Sequence, residues 1–167
     1  FYLFYPLLLV ACFRLAGLRA VWLLMLTIVV GGTFAAERYF WIDRTAAFYL
    51  TPFRLYEFAL GGLGSLVILR LGQLTGKWQN LSSLGSVAGL SMILHSALTY
   101  NFLTAFPGTN ALQPTIGALL VILSGASPAA RLLLSNALMV WVGRLSYALY
   151  LVHWPLIVLY RNVYGPK

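Results

Sequence analysis

Hydrophobic residues run along this chain in long blocks broken by short polar clusters. Six apolar segments separate, over roughly 1–13, 18–35, 52–71, 80–100, 112–127 and 136–161. A bilayer core takes about 20 apolar residues as a helix, so the second, third, fourth and sixth segments predict full spans. The first begins inside its apolar run at Phe1, with no basic start or small-residue cleavage site, and reads as a helix whose beginning lies upstream. The fifth, LQPTIGALLVILSGAS, is short and reads as broken or extended at its ends. The pattern predicts an all-α fold, a polytopic transmembrane helix bundle of about six spans in a single domain over 1–167.

Charge fixes a sidedness for those spans. Arg14 and Arg19 lie between the first two segments, Arg70 and Lys77 between the third and fourth, and Arg131 between the fifth and sixth. The alternate connections differ. Glu37, Arg38, Asp43 and Arg44 cancel in 36–51, and NFLTAFPGTNA over 101–111 has no charge. The net positive connections fall on one side, which the positive-inside rule makes cytoplasmic. Only the tail with Arg161 and Lys167 goes against this, and a further helix beyond Lys167 would return the chain inward. Aromatic residues mark the expected interfaces at Tyr39, Phe40 and Trp41, at Trp78, Tyr100 and Phe102, and at Tyr160 and Tyr164.

Composition agrees with a lipid environment. The chain is 61% hydrophobic and only 8% charged, where soluble domains carry about a quarter charged residues. The net charge of +8 would suggest nucleic acid in a soluble protein, but these cations are scattered between apolar spans, so no nucleic acid partner is expected. Cys12, the single cysteine, excludes an internal disulfide.

Ionisable groups within the membrane are expensive and usually face a bundle interior. In TPFRLYEFALGGLGSLVILR, Arg54 and Glu57 stand at i and i+3, close enough on one helix to interact. Gly61, Gly64 and Ser65 continue a small-residue face that lets another helix approach. The charged pair either anchors the helix end at the interface or shapes a polar interior. In GRLSYALYLVHWPLIVLY, Ser146, Tyr150 and His153 lie within about 40° of one line on a helix. Arg144 points nearly the opposite way, where it can snorkel to the cytoplasmic interface. The stripe should face a neighbouring helix or a wet cavity, since lipid would leave its hydrogen-bonding groups unmet. Pro155 removes one backbone hydrogen bond just beyond His153. For His153, a structural bond across helices and a place in a site both remain open. His95 reads as an interfacial histidine, and Gly85 with Gly89 forms a GxxxG packing pair. No metal-ligand spacing, nucleotide-binding glycine pattern or GxSxG elbow is present.

Together the motifs resemble the acyltransferase-3 family of integral membrane acyltransferases. FYLFYPLLL is similar to a family helix that normally follows a tryptophan, serine and paired-glutamate sequence. TPFRLYEFALGGLGSLV is similar to the family's P-x-R-x-x-E segment. VGRLSYALYLVHWPLIV carries the most specific likeness, at Gly143, Arg144, Ser146, Tyr147, Tyr150, Leu151, His153 and Pro155. The resemblance implies about ten membrane helices, of which this chain is similar to the fourth to ninth, with the main catalytic histidine upstream of Phe1. It also implies transfer of an acyl group, expected to be acetyl, from acyl-CoA to a carbohydrate hydroxyl of a cell-surface glycan. No cofactor is then bound. Acetyl-CoA or another acyl-CoA is the co-substrate, the bilayer and a glycan acceptor are the partners, and the location is a bacterial inner membrane. His153, Glu57 and Arg54 would support catalysis, while Ser146, Tyr150 and Arg144 would contact substrate. A transporter or flippase-like protein is the competing reading, with the same residues coordinating substrate or protons. Its weakness is that the only carboxylates lie near or in the outer connections.

Overall fold

The computed structural model describes residues 3–72, 78–101 and 104–164. Phe1, Lys77, Phe102 and Lys167, to which the sequence assigns roles in orientation, interfaces and chain ends, lie outside the described residues. Within them the chain is helical throughout, without a strand. The helices are α1 (Phe4–Phe40), α2 (Arg44–Tyr49), α3 (Leu55–Leu71), α4 (Gln79–Thr99), α5 (Thr109–Leu123), α6 (Pro128–Leu134) and α7 (Ala137–Tyr164). A 3₁₀ turn, Thr51–Arg54, leads into α3 and carries Pro52 in its first turn, where a missing N–H costs nothing.

The first two expected spans are carried by one helical run, α1, divided at Gly17 (φ 75°, ψ −175°). That backbone region is open essentially to glycine alone. The division reverses the chain. In a straight helix Tyr5 and Met25 would stand about 30 Å apart. Yet the Tyr5 hydroxyl and the Met25 sulfur each lie 3.3 Å from where a Cβ on Gly62 would stand. Leu9 and Cys12, from the first arm, pack on the cluster of Val21, Met25 and Leu63 from the second arm and α3.

The expectation of about six spans counted the two arms of α1 separately. Four helices are long and apolar enough to cross a membrane, α1, Thr51–Arg70, α4 and α7, or five if α5 and α6 together make one bent span. The fifth segment is broken, as its length suggested: α5 and α6 meet at 112° across a gap that Gly125 and Ser127 occupy.

Pairings between helices set a common direction. Met25 meets Gly62, and Gly32 lies 3.0 Å from the Tyr56 Cβ, measured from its own ideal Cβ position, so the second arm of α1 runs antiparallel to α3. Gly85 faces Ser124 and Gly89 faces Gly117, so α4 runs antiparallel to α5. The turn with Arg14 and Arg19, the end of α3 with Arg70, and α6 with Arg131 then share one end of the bundle. Glu37, Thr51 and Thr109 share the other, here called the outer end.

α4 and α5 approach each other backbone to backbone. A Cβ on Gly89 would fall 2.5 Å from the Gly117 carbonyl oxygen, and one on Gly117 would fall 2.7 Å from the Gly89 oxygen. This is the close backbone approach that small residues permit in lipid. Nearer the cationic end, Ser86 extends a hydroxyl to the Ser127 hydroxyl at 2.8 Å and to the Ser124 carbonyl at 3.3 Å. Ser127 in turn accepts from the Ala130 N–H at 3.1 Å, capping α6. The bend is thus tied down by hydroxyls on both sides.

α7 differs from all of these. None of its 28 residues is buried, and it joins the bundle chiefly through α6. Leu138, Trp141 and Leu149 are each 60% exposed or more, a surface suited to lipid and unsuited to water.

Gly89→Leu should force α4 from α5 and cost about 1–3 kcal/mol by overpacking. Thermal unfolding in detergent should show a lower midpoint for it. Gly61→Leu, whose Cβ meets nothing within 4 Å, should leave the midpoint unchanged.

Candidate functional site

At the outer end a groove of about 910 Å³ opens between the chain around the 3₁₀ turn and the far half of α7. Phe48, Arg54 and Phe58 line one wall; Tyr150, His153 and Trp154 line the other. Arg54 sits where it does because α2 stops at Tyr49 and the chain turns through Thr51–Arg54 before α3 begins. Its Nε donates to the Phe48 carbonyl at 3.0 Å. Its guanidinium lies 4.5 Å from the centre of the Phe48 ring and 5.9 Å from that of Phe106. Two rings and a carbonyl therefore hold the cation in place, each ring adding an attraction to its face.

Arg54 and Glu57 interact through their charges but do not touch: among the described residues no ion pair joins them. Arg54 is the last residue of the 3₁₀ turn and precedes α3, so the α-helical i, i+3 spacing does not apply to it. Glu57 is half-buried on α3 and does not line the groove; its Oε1 has no hydrogen-bond partner among the described residues.

On α7, Tyr150 and His153 share a face as their spacing predicts, with ring centres 5.6 Å apart. The His153 Nδ1 lies 2.6 Å from the Tyr150 carbonyl oxygen and 3.2 Å from that of Leu149. A carbonyl only accepts, so Nδ1 carries the proton and a neutral imidazole keeps its lone pair on Nε2. His153 is thus bonded within its own helix, with no bond across helices among the described residues. Ser146 is exposed, donates to the Gly143 carbonyl at 2.7 Å and takes no part in the groove wall. Arg144 is exposed two residues nearer the cationic end, also away from the groove. Of the six candidate residues, the structure brings together Arg54, Tyr150 and His153.

His95 is exposed on α4 and tied to α5. Gln113 Nε2 stands 2.8 Å from His95 Nδ1, and the Tyr100 hydroxyl lies 3.0 Å from Gln113 Oε1 and 2.9 Å from the Asn110 carbonyl. The interfacial histidine is also a cross-helix strut.

Two residues matter to the outer end without having stood out as candidates. Tyr56, fully buried, donates its hydroxyl to the Gly108 carbonyl at 3.1 Å and accepts from the Gly108 N–H at 3.0 Å. Glu37 Oε2 accepts from the Thr109 N–H and from its hydroxyl, both at 2.9 Å. Thr109 opens α5, whose N-cap, Gly108 (φ 125°), has no side chain to offer, so a carboxylate from α1 caps it instead. Phe106, the ring beside Arg54, is two residues before Gly108. Glu37 and Tyr56 thereby set the wall on which the arginine rests.

Neither a curated protein nor a solved structure matches the chain. A family model described as an acyltransferase domain matches residues 1–167.

Tyr56→Phe should leave the Gly108 N–H and carbonyl buried without partners and cost about 1–3 kcal/mol. The expected result is a lower unfolding midpoint together with faster protease cleavage between α4 and α5.

Proposed function

The chain belongs to the acyltransferase-3 family, and from that premise we propose that it moves an acetyl group from acetyl-CoA to a carbohydrate hydroxyl of a cell-surface glycan. The acceptor oxygen attacks the thioester carbonyl, a C–O bond forms and the C–S bond breaks. The hydroxyl proton passes through a base to the departing thiolate. Such a step needs a proton acceptor, donors for the developing oxyanion and a place that orients the sugar.

One observation carries this reading: a groove at the outer end pairs a fixed guanidinium with an imidazole whose Nδ1 is bonded to its own helix. The aromatic walls, Phe48, Tyr150 and Trp154, suit the apolar faces of sugar rings. His153 and Arg54 act here as a supporting set that orients the acceptor, with Tyr150 as a contact and Glu57 behind them. The main proton acceptor is the family histidine that the resemblance places before Phe1. Ser146 and Arg144, away from the groove, have a weaker claim on substrate. A bacterial inner membrane, with acyl-CoA on the cationic side, is the setting that fits this arrangement. The family membership favours this reading over the transporter.

The test uses membranes holding the full-length protein, labelled acetyl-CoA and analysis of the surface glycans. His153→Ala should lower transfer by about 10²-fold, and Glu57→Gln should lower it to a smaller extent, with membrane insertion intact in both. Wild-type rates in both variants at matched expression would remove these residues from the site.

A further inference from the structure

The 3₁₀ turn Thr51–Arg54 separates two cavities, and Thr51 lines both. On one side is the groove with Arg54. On the other is a crevice of about 320 Å³ walled by Phe4, Leu8, Ile28, Pro52 and Leu55, nearly all hydrocarbon. Leu8 and Ile28 stand on opposite arms of the α1 hairpin, roughly 13 to 17 Å from Gly17 at 1.5 Å per residue. That is about half the depth of a bilayer core. The crevice therefore lies near the middle of the bilayer core, and the groove continues from it toward the outer end.

The groove has a definite sign. Arg54 lines it, and neither Asp nor Glu does. Of the nearby carboxylates, Glu37 caps α5 and Asp43 accepts from the Ala46 N–H at 3.0 Å to cap α2, while Glu57 stays off the groove wall and acts on Arg54 only through its charge, without an ion-pair contact. Arg54 uses only Nε for its bond to Phe48, so its two terminal nitrogens are available as a fork for an oxyanion. A ligand that fills both cavities must carry an anionic head and a hydrocarbon tail joined past Thr51.

We propose that groove and crevice form one site for an anionic lipid, with a phosphate-bearing head on Arg54 and an acyl or prenyl-type chain between α1 and Leu55. Resting on the acyl-transfer reading, the site further identifies the acceptor as a glycan carried on such a lipid, held with its sugar against the Tyr150 and His153 wall.

The test places the full-length protein in phosphatidylcholine vesicles doped with a phosphatidic acid probe that bears a photoactivatable tail. A phosphatidylcholine probe with the same tail serves as comparison, and labelled peptides are mapped by mass spectrometry. The phosphatidic acid probe should label the crevice about tenfold more than its comparison, the effect of one charge-assisted contact. Arg54→Gln should abolish that preference, and Arg54→Lys should restore part of it. Leu55→Trp should block labelling of the crevice; Ile28→Trp does the same from α1 should Leu55→Trp fail to insert. Excess inorganic phosphate should not compete.

Equal labelling by both probes, which is annular lipid only, overturns the proposal. So does a preference that survives Arg54→Gln, or one that inorganic phosphate displaces. Acetyl transfer from labelled acetyl-CoA, assayed in the glycan-bearing membranes used above, separates the two readings. Head-selective labelling without transfer defeats the acyl-transfer reading and spares the lipid site, whereas transfer without head-selective labelling defeats the lipid site alone.

Discussion

A buried tyrosine hydroxyl anchors the outer end of this bundle. Inside a membrane a backbone N–H or carbonyl without a partner costs several kcal/mol, and an irregular turn between helices exposes several of them at once. The turn before α5 meets that demand with Tyr56, which serves both polar groups of Gly108, and with Glu37, which serves the first N–H of the helix. Gly108 is buried and adopts a positive φ, so the chain passes close under the carboxylate where a side chain would collide with it. From this turn follow the position of Phe106, the shelf beneath Arg54 and one wall of the groove.

The cationic end is held by different means. There, small residues let backbones touch, and hydroxyls tie the sharp corner between α5 and α6 to α4. Packing by contact and small hydrogen bonds suits an environment where hydrophobic burial between helices gains nothing over lipid. The two clusters of buried apolar side chains are correspondingly small, one around Met25 and the other around Tyr56. The large apolar residues point outward.

Much of this was legible from residue order. The apolar blocks, the basic connections, the glycine pair on α4 and the shared face of Tyr150 and His153 all follow from periodicity and composition. What escaped depends on partners distant in sequence or on a local departure from α-helical geometry. Glu37 and Thr109 are 72 positions apart, and Tyr56 and Gly108 are 52 apart, so no local pattern marks either contact. The one hint was a proline–glycine pair in an uncharged connection. Arg54 and Glu57 act on each other through their charges without forming an ion pair, because a 3₁₀ turn carrying Pro52 places the arginine ahead of α3. Ser146 satisfied itself on the Gly143 carbonyl, an option that a short hydroxyl always has on a helix.

The joint between α6 and α7 has a mechanical consequence. Asn136 stitches it from both sides, its amide donating to the Leu133 carbonyl at 3.0 Å and its oxygen accepting from the Met139 N–H at 2.9 Å. Beyond that stitch α7 is a long rod with little lateral support, and His153 rides on it roughly 25 Å from the pivot. A tilt of about 10° at Asn136 would carry the imidazole roughly 4 Å, the difference between touching a bound molecule and standing clear of it. A tilt at Asn136 would thus widen or narrow the groove from the other end of the bundle, as a fulcrum works a lever.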